Sequence, residues 1–496
     1  MSNRKTIGAA CAFALSAATA AQAAGTLSIN EVVSVVAGWD MASDDAYLGS
    51  RSGCYEGLTK VDFDGELKPS LATAWSQSSP TAWDFKIRQG VKFHDGSPLT
   101  AEAAANALNQ LLAAQVPARA FSKKNIKSVE APDTETLRVT TIEPSVFLPG
   151  QLASPATTIL APAAYKDGKV NPINTCTGPF AITRVDAKQG MTVKRNDTYW
   201  GGKAKLDGAE IKFISDANSR ATQIRTGEAD IARLISATAL AQFKNLKNVK
   251  LEQTKAPRIL MLLLNNKKKP FDDIRVRQAI QAAIDTSAIA AAVYEGAATP
   301  AMGPFRTSDP WAPANQKPSY DPAKAKKLLA EAGIKPGSLT LNLWGYVSKV
   351  ELKDVAAVVQ EMLGQVGIKV DIRMAEYKAI EPDMLAGNFD MAFMSRGYLT
   401  DVPEPIGFIN ADYSCTGSFN IAHYCAPEMD AEINKIYGAK NQAERFKMYA
   451  NIGEKIQRDA INVFLIHESS YDAHAAKVKN YKAHFINYYT MTPGLE

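Results

Sequence analysis

Histidine, cysteine and carboxylate side chains mark the few places where this chain could do chemistry. The histidines are only five, namely His94, His423, His467, His474 and His484. The segment that starts at His467-Glu468 begins like the zinc-protease motif H-E-x-x-H, but Tyr471 stands where the second metal ligand belongs. No P-loop, dinucleotide-binding or nucleophile-elbow motif occurs in the sequence. The pattern favours binding over catalysis, and a secreted hydrolase that uses His467 and Glu468 is a remote alternative.

The N-terminus has the pattern of a cleavable export signal. Arg4 and Lys5 form a basic start, residues 7–18 are mostly apolar, and Ala21-Gln22-Ala23 offers the small residues that signal peptidase reads. The apolar core is shorter than the ~20 residues that span a membrane. We expect residues 1–24 to be removed, with cleavage near Ala23 or Ala24, and the mature protein to work in the periplasm.

Four cysteines remain after this signal, and export gives their even number a meaning. In an oxidising compartment such cysteines pair as disulfides. Cys415 and Cys425 are ten positions apart with Gly417 between them, which suits a short closed loop. Cys54 and Cys176 would then form a second, long-range bridge. No C-x-x-C pair occurs, which excludes a zinc ribbon and a thioredoxin-type motif.

The overall composition is that of an ordinary folded protein with a weak net charge. Of the 496 residues, 46% are hydrophobic and 22% are charged, which excludes a disordered chain. This length predicts roughly three domains, or two large ones. The net charge of +5 would fall to +3 when Arg4 and Lys5 leave with the signal. Such a small charge gives no reason to expect a nucleic-acid partner.

Hydrophobic periodicity predicts the elements that must position these side chains. The last third alternates between helices and strands, which predicts an α/β layer with parallel strands. Thr100 can cap a helix over residues 101–114, and one continuous helix is predicted over residues 275–294. Further helices are predicted at residues 218–226, 322–332, 352–366, 377–386 and 442–459. Short apolar or alternating runs predict strands at residues 27–36, 83–93, 137–141, 180–185, 191–194, 211–214, 260–264, 339–343, 369–373, 390–394 and 463–466.

An ordered series of short motifs runs along the whole mature chain. In order, the segments are Cys54-Tyr55-Glu56-Gly57-Leu58, Leu71-Ala72-Thr73-Ala74-Trp75, Trp83-Asp84-Phe85-Lys86-Ile87-Arg88, Val91-Lys92-Phe93-His94-Asp95-Gly96, Thr177-Gly178-Pro179-Phe180, Arg195-Asn196-Asp197-Thr198-Tyr199-Trp200 and Pro270-Phe271-Asp272-Asp273. The series resembles the family 5 extracellular solute-binding proteins, which serve ABC importers of dipeptides, oligopeptides and nickel. The motifs themselves are mostly turns and caps, and none of them predicts catalysis.

The resemblance implies a periplasmic-binding-protein-like α/β fold of type II, in the large peptide-binding class. Two main lobes and an inserted third subdomain would surround a hinge and a central cleft. The implied bounds are residues 25–57, 169–264 and 464–496 for lobe Ia, 58–168 for lobe Ib and 265–463 for lobe II. The chain would cross between the lobes near Leu264-Asn265 and near residues 463–465. Such a hinge permits a ligand to be buried between closing lobes.

The same resemblance places ligand-binding residues after the strand at residues 390–394. In dipeptide binders of this family an Asp on this segment holds the free amino group of the ligand, and Asp401 stands at the matching position. A turn-shaping role is the alternative for Asp401. Tyr398 and Arg396 would line the same wall. Arg396 would bind a ligand carboxylate through bidentate hydrogen bonds, or would make an internal salt bridge.

Aromatic residues and one histidine complete the predicted site. Tyr55, Trp344 and Tyr346 are candidates for cleft walls, with core packing as the alternative. His423 would contact chelated nickel, as a His in this region does in some nickel-binding relatives, because imidazole suits Ni(II). A loop-packing role is the alternative. One departure counts against nickel, since Ala156 stands where a nickel-binding relative places an Arg.

The sequence therefore predicts an exported receptor that captures di- or oligopeptides by hinge closure and delivers them to an ABC permease. Nickel bound to a small chelator such as histidine is the runner-up ligand, with His423 as its metal residue. A monomer is expected, with no cofactor, no nucleic-acid partner and no enzymatic activity. A chaperone or an adhesin on the same scaffold is a further alternative.

Overall fold

A computed structural model describes residues 25–118, 121–399, 402–439 and 441–496 of the chain. The predicted signal peptide with its cleavage site and the predicted ligand residue Asp401 lie outside these residues. Within the described part, no helix combines the length and the apolar character that a membrane crossing requires.

Strands and helices are mixed along the whole described chain. The strands are, in chain order, β1 (Thr26–Glu31), β2 (Thr59–Val61), β3 (Leu67–Pro69), β4 (Ala72–Ser79), β5 (Ala82–Ile87), β6 (Ile126–Glu130), β7 (Thr136–Thr141), β8 (Tyr165–Lys166), β9 (Lys169–Val170), β10 (Phe180–Asp186), β11 (Gly190–Arg195), β12 (Gly208–Phe213), β13 (Ile231–Ala232), β14 (Val249–Thr254), β15 (Arg258–Leu264), β16 (Thr299–Pro300), β17 (Leu339–Tyr346), β18 (Ile368–Ala375), β19 (Met391–Gly397), β20 (Asn462–His467) and β21 (Ser470–Ala475). The helices are α1 (Asp45–Arg51), α2 (Ala101–Leu112), α3 (Leu148–Gln151), α4 (Ala217–Thr226), α5 (Ile274–Ala283), α6 (Thr286–Ala292), α7 (Pro322–Glu331), α8 (Leu352–Gln365), α9 (Tyr377–Ala386), α10 (Ile406–Tyr413), α11 (Pro427–Tyr437) and α12 (Gln442–Arg458).

Two large mixed sheets organise the described chain. The first has seven strands in the order β10-β11-β12-β1-β13-β21-β14, and the second has six in the order β16-β20-β15-β19-β17-β18. The predicted parallel pairing occurs between β17 and β18 and between β17 and β19. However, β15 runs antiparallel to both of its neighbours, β19 and β20. The second sheet is therefore mixed and not purely parallel.

The two sheets are joined where the chain crosses between them. It passes from β14 to β15 between Thr254 and Arg258, and it returns from β20 to β21 between His467 and Ser470. The crossings expected near Leu264-Asn265 and residues 463–465 thus fall within the second sheet or at its edge. We call residues 25–254 and 470–496 the first half, and residues 258–467 the second half.

The displacement of the crossings has a clear physical reason in β15. Its side chains alternate between two separate cores, with Leu260 and Leu262 in one and Ile259 and Met261 in the other. A strand that is covered on both faces reads as a continuous apolar run. The run at residues 260–264 is therefore a central strand of the second half and not the last strand of the first.

The inserted region of the first half forms its own four-stranded sheet in the order β4-β5-β7-β6. Its buried side chains, such as Phe85 and Leu137, belong to the same apolar core as Ile29 and Ile211 of the seven-stranded sheet. The insertion and the large sheet therefore share one core, which holds the first half together.

Local capping decides where several helices begin. The side chain of Thr100 accepts a hydrogen bond from Ala103 N at the start of α2, as predicted. The single helix expected over residues 275–294 is instead two helices. Asp285 leaves the helical conformation after α5, and its carboxylate accepts hydrogen bonds from the backbone N–H groups of Ser287 and Ala288 at the start of α6. An Asp in this setting favours a cap over a helix interior, so apolar periodicity alone missed the break.

Candidate ligand-binding cleft between the two halves

A cavity of about 450 Å³ lies between the two halves, beside both chain crossings. The second half contributes residues at or next to the carboxyl ends of three strands, namely Tyr346 (β17), Ser395 (β19) and Glu468 (β20). These strands run in one direction, because β17 is parallel to β19, and both β19 and β20 are antiparallel to β15. Ligand sites of α/β sheets lie at this edge. The topology therefore marks this cavity as the candidate binding site.

The second half lines the cavity with a hydrogen-bond network around Glu468. The Glu468 carboxylate accepts hydrogen bonds from Lys349 Nζ and from Ser395 Oγ, each at 2.7 Å. Arg258 donates to the carbonyl and to Oγ of Ser395, each at 2.9 Å. Burial would raise the pKa of Glu468, but Lys349 and Arg258 outweigh it and hold that pKa below its usual value. This wall therefore carries a fixed negative charge with a cation on either side.

Three polar groups of the same wall can still form an ion pair or a hydrogen bond with a ligand. Arg258 is exposed, and neither it nor Glu351 forms an ion pair within the described part of the chain. Tyr294 is 6% exposed, and its hydroxyl has no hydrogen-bond partner among the described residues. A buried polar group without a partner costs about 1–3 kcal/mol. A ligand that carries both charges and a hydrogen-bonding group would satisfy all three.

The first half closes the cavity with backbone and uncharged side chains. Residues 234–237, which follow β13, and Asn487 of the C-terminal segment form this wall. Behind the wall, Arg233 donates to the two carboxylate oxygens of Glu31 at 2.7 and 2.9 Å and to Asn487 Oδ1 at 2.9 Å. The backbone N–H of Leu234 donates to Asp472 Oδ1 at 2.7 Å. These bonds fix both parts of the wall from behind.

The charges behind the first wall neutralise one another. We call Glu31, Arg51, Arg233, Asp472 and Tyr481 the buried ion cluster. Arg51 Nε lies 2.9 Å from Glu31 Oε2, and the Tyr481 hydroxyl donates to Asp472 Oδ2 at 2.6 Å. Burial alone would raise the pKa of Glu31, but Arg233 and Arg51 outweigh it and lower that pKa to about 2. The cluster is therefore a support for the wall and not a set of charges offered to a ligand.

A second cavity, of about 740 Å³, also lies between the halves. Trp83 and Phe147 line it from the first half, and Trp311, Leu399 and Val402 from the second. The halves touch beside it, since the Phe147 ring meets the Tyr437 ring edge-on with centroids 5.5 Å apart. Leu399 and Val402, the described residues on either side of positions 400 and 401 in the sequence, therefore border the space between the halves.

A third cavity, of about 350 Å³, lies within the first half. Its lining includes Asp44 and Tyr47 from the start of α1, Phe121 and Ala156. Ala156 contributes only a methyl group to this lining, and no described lining residue carries a guanidinium.

The structure gives two of the predicted ligand residues internal partners. Arg396 forms a bidentate ion pair with Asp412, with N···O distances of 2.9 and 2.5 Å, and lies 4.1 Å from the Phe419 ring. Tyr398 is fully buried and donates its hydroxyl hydrogen to Asp309 Oδ2 at 2.7 Å. Neither side chain is among those that line the 450 Å³ cavity.

Of the three predicted aromatic residues, Tyr346 lines the 450 Å³ cavity, Tyr55 lines a separate cavity of about 210 Å³ in the first half, and Trp344 lines neither. The Tyr346 hydroxyl accepts a hydrogen bond from Ser395 N at 3.3 Å. Trp344 is 7% exposed and is covered by the guanidinium of Arg373 at 4.6 Å. Tyr55 is 3% exposed and belongs to the apolar core of the first half.

His423 lies at the opposite end of the second sheet from the candidate site. Its Nε2 is 3.2 Å from the carbonyl oxygen of Met384, and its backbone has a φ of +51°. It shares a cavity of about 760 Å³ with Asn266, which lies just past the end of β15. Since β19 spans seven residues, this end is about 20 Å from the cleft edge. The structure therefore does not bring His423 together with Tyr346.

Two disulfides are present in the described residues. Cys54 is bonded to Cys176, and Cys415 is bonded to Cys425. The first joins the segment after α1 to the turn before β10, and the second closes the loop that carries His423. These are the two pairs that the residue spacing and elimination suggested.

Sequence reasoning missed most of the cavity's polar residues, namely Arg258, Tyr294, Lys349, Glu351 and Glu468. Their shared signal is position, because four of them lie within a few residues of an apolar strand end. Glu468 directly follows β20, and Lys349 and Glu351 follow β17. Arg258 begins β15, whose antiparallel direction brings its amino end to the same edge. That direction is a tertiary property that the local pattern does not carry.

Comparison with known proteins adds to this geometry. Residues 66–420 match the model of the "bacterial extracellular solute-binding proteins, family 5 Middle". The chain belongs to family 5 of the bacterial extracellular solute-binding proteins. It is 31% identical over 462 residues to the glutathione-binding protein GsiB of Pectobacterium atrosepticum, covering 89% of this chain and 88% of that one.

Solved structures show the same fold. A nickel ABC transporter structure from Bacillus halodurans is 27% identical, with a TM-score of 0.82, and the match covers 95% of this chain and 99% of that one. The binding protein DppA of Helicobacter pylori, solved with the peptide STSA, is 24% identical, with a TM-score of 0.76 and coverage of 94% and 98%. The fold is that of the type II periplasmic binding proteins.

Membership of this family settles the general role. This family 5 protein is the substrate-binding receptor of an ABC importer, which binds a solute and docks on the permease subunits. Its family and its relatives are solute-binding proteins and not enzymes. The extracellular family also makes it an exported protein.

Proposed function

We propose that this family 5 protein captures short peptides in the periplasm and delivers them to its permease. The observation that carries the proposal is the 450 Å³ cavity between the halves, which combines a cation and an acid without an ion pair and a hydroxyl without a hydrogen bond among the described residues. A small peptide has a carboxylate, an ammonium group and amide groups that match these three in kind. Cavities of about 300–1,000 Å³ suit compact ligands.

Two relatives support a peptide ligand. The first is named for glutathione, which is a tripeptide, and the second was solved with the peptide STSA. Two observations give less support to a nickel chelate. Ala156 contributes only a methyl group to the first-half cavity, and His423 lies at the far end of the second sheet, hydrogen-bonded to a backbone carbonyl.

In this proposal Arg258 binds the ligand carboxylate. Its guanidinium is held in place by Ser395 and still has donors to offer. An exposed Arg with an anchored side chain loses little entropy when it pairs with a carboxylate. Charge-assisted bonds of this kind are about twice as strong as neutral ones.

Asp401 remains the proposed partner of the ligand ammonium, and Glu351 is its competitor. Asp401 follows a segment that borders the space between the halves, whereas Glu351 lines the 450 Å³ cavity itself. Matched variants decide between them. With Asp401→Ala and Glu351→Ala, the true partner is the one whose loss weakens binding of a free peptide but not of its N-acetylated form.

The motion in this proposal is closure about the two crossings at residues 255–257 and 468–469. The first and second halves would act as the two lobes, with the residues of the predicted lobe Ib carried by the first. Closure would bring residues 234–237 and Asn487 onto a ligand held by the second half. Such a two-state change lets a permease distinguish a loaded receptor from an empty one.

A thermal-shift panel on the mature protein tests the proposed ligand class. It contains dipeptides, glutathione, longer peptides, and Ni²⁺ with and without free histidine. A true ligand raises stability by about 2.7 kcal/mol at a hundredfold excess over Kd. A shift with peptides and none with nickel–histidine is expected. The reverse result would replace peptides by a nickel chelate, and a flat panel would reject both.

A further inference from the structure

Three potential metal ligands meet in the core of the first half, far from the candidate cleft. Cys54 Sγ, Cys176 Sγ and a ring nitrogen of His94 all lie within 4.8 Å of one another. They come from three separate parts of the chain, namely the segment after α1, the turn before β10 and the loop between β5 and α2. Both cysteines are fully buried.

A hydrogen bond holds the His94 ring through one of its two nitrogens. Its Nε2 is 2.8 Å from the carbonyl oxygen of Gly178, and a carbonyl can only accept, so Nε2 carries the hydrogen. The other nitrogen, Nδ1, then carries a lone pair, and it is buried with no hydrogen-bond partner in the part of the chain that the structure describes. Metal-binding histidines are held in this way, with the second nitrogen donating to a backbone carbonyl. The lone pair of Nδ1 could bind a metal ion or accept a hydrogen bond, and the disulfide form provides neither among the described residues.

The arrangement does not depend on the S–S bond. Gly178 N donates to Cys54 O at 3.0 Å, Phe180 N donates to Gly53 O at 3.1 Å, and His94 N donates to Cys176 O at 2.7 Å. A Cβ at Gly178 would lie 2.2 Å from Gly53 O, so only glycine permits this close approach. We therefore expect these backbone contacts to keep the three ligands near one another when the sulfurs are reduced.

We propose that the dithiol form of this protein binds one thiophilic divalent cation, such as Zn²⁺, through Cys54, Cys176 and His94. Two sulfurs and one nitrogen leave the fourth tetrahedral position open. With Zn–S bonds of ~2.3 Å, two sulfurs on one ion are about 3.7 Å apart. The two sulfurs must therefore be reduced and move apart from their bonded positions before they can share one ion. Metal binding and disulfide formation are then two alternative ways of joining the same segments.

Reduction of the disulfide by a trialkylphosphine consumes one water molecule. Phosphorus gives two electrons to the disulfide and takes the oxygen of the water, and the two protons of the water are added to the two sulfurs, which become thiols. The cation then displaces these two protons, since thiolates and not thiols are the ligands. No electron moves in the second step. A disulfide-forming oxidant such as diamide must compete with the bound ion for the thiolates.

The second disulfide is a matched control within the same chain. Cys415 and Cys425 have no such third ligand, because no histidine or carboxylate of the described residues meets both of their sulfurs at the range of His94 in the first pair. His423, though close in sequence to Cys425, has its Nε2 3.2 Å from the Met384 carbonyl.

Co²⁺ titration tests the site in the full mature chain. The double variant Cys415→Ser/Cys425→Ser is reduced with phosphine, refolded without oxygen and freed of reductant. We expect one equivalent of Co²⁺ to give thiolate charge-transfer absorption, and one equivalent of Zn²⁺ to abolish it. The variant Cys54→Ser/Cys176→Ser should give no such band. His94→Ala in the first variant should weaken Zn²⁺ binding by at least about tenfold, a loss that even outer partners of a ligand can cause.

A second measurement uses only the wild-type chain, so that misfolding of a variant cannot affect the result. The fully reduced wild-type chain is oxidised with diamide, with and without Zn²⁺, and each disulfide is followed by mass spectrometry of its peptides. Slower formation of Cys54–Cys176, with Cys415–Cys425 unchanged, supports the site. Equal slowing of both pairs, or of neither, overturns it. So does a Co²⁺ band that survives His94→Ala at unchanged affinity.

Discussion

The two walls of the cleft are built in opposite ways. The second half presents Arg258, Lys349 and Glu468 toward the cavity. The first half buries its charges behind the wall, where Arg233 and Glu31 satisfy each other. The second wall can therefore read the charges of a ligand, whereas the first can supply only shape and backbone groups. Under the proposed function, ligand selection would therefore fall to the second half of the family 5 protein and closure over the ligand to the first half.

The largest expected effect is a loss of stability when the buried ion cluster behind the first wall is disrupted. Arg233→Met would leave Glu31 and Asp472 buried with one cation fewer, and removal of one partner from a buried ion pair costs about 3–5 kcal/mol. Urea unfolding measures the change. Arg258→Met on the opposite wall is the control, because Arg258 is exposed and forms no ion pair among the described residues, and each lost bond to Ser395 costs only about 0.5–1.5 kcal/mol. Similar losses in both variants would mean that the walls do not differ as described.

Lowering the pH should weaken the same buried ion cluster by protonating Glu31. Glu31 has a folded pKa of about 2, below its value of 4.5 when unpaired, so its contribution is complete above pH 4.5 and is lost as the pH falls through 2. The stability lost is about 3 kcal/mol, because lowering a pKa by one stabilises the folded state by about 1.4 kcal/mol. Unfolding free energies of wild type and Glu31→Gln should therefore converge between pH 4.5 and pH 2. A gap that stays constant over this range would contradict the pairing.

The next effect concerns ligand affinity and belongs to the second wall. Arg258→Ala should weaken peptide binding by about 1.5–3 kcal/mol, the net value of hydrogen bonds to a charged group. Calorimetric titration measures it. Arg373→Ala is the matched control, since this exposed Arg lies over Trp344 and not in the cavity. An unchanged affinity in Arg258→Ala would move the carboxylate site elsewhere.

The smallest effect has opposite signs in stability and affinity. Tyr294→Phe removes a buried hydroxyl that has no partner among the described residues, so the ligand-free protein should gain about 1 kcal/mol. Peptide affinity should fall by about two- to tenfold if the ligand satisfies this hydroxyl. Tyr398→Phe is the contrast, because its hydroxyl bonds to Asp309, and that variant should lose stability and keep its affinity. Calorimetry and thermal unfolding together separate these outcomes.

How far the sequence could lead depends on the range of each interaction. The Thr100 cap and the alternating helices and strands of the last third are local patterns, and the structure has them. The family was also recognisable, because its motifs occur in order along the chain. The break at Asp285 was missed since apolar periodicity continues through it, although the capping residue itself was visible.

The candidate site was harder to predict because its residues meet only through topology. Arg258 and Glu468 are 210 positions apart, yet they share one wall because β15 is antiparallel to β20. Arg396 has the chemistry of a ligand residue, but Asp412 pairs with it inside the second half. Residue type alone cannot tell a free charge from a neutralised one.

The position of β21 in its sheet determines when that sheet can be completed during synthesis. This strand lies in the interior of the seven-stranded sheet, between β13 and β14, and it consists of residues 470–475. Asp472 and Tyr481, which complete the buried ion cluster, also come from the last 27 residues. The sheet that contains β1, the first strand of the described residues, therefore cannot be completed until the final segment has left the ribosome. Until those residues are available, β13 and β14 lack the strand that lies between them in the finished sheet.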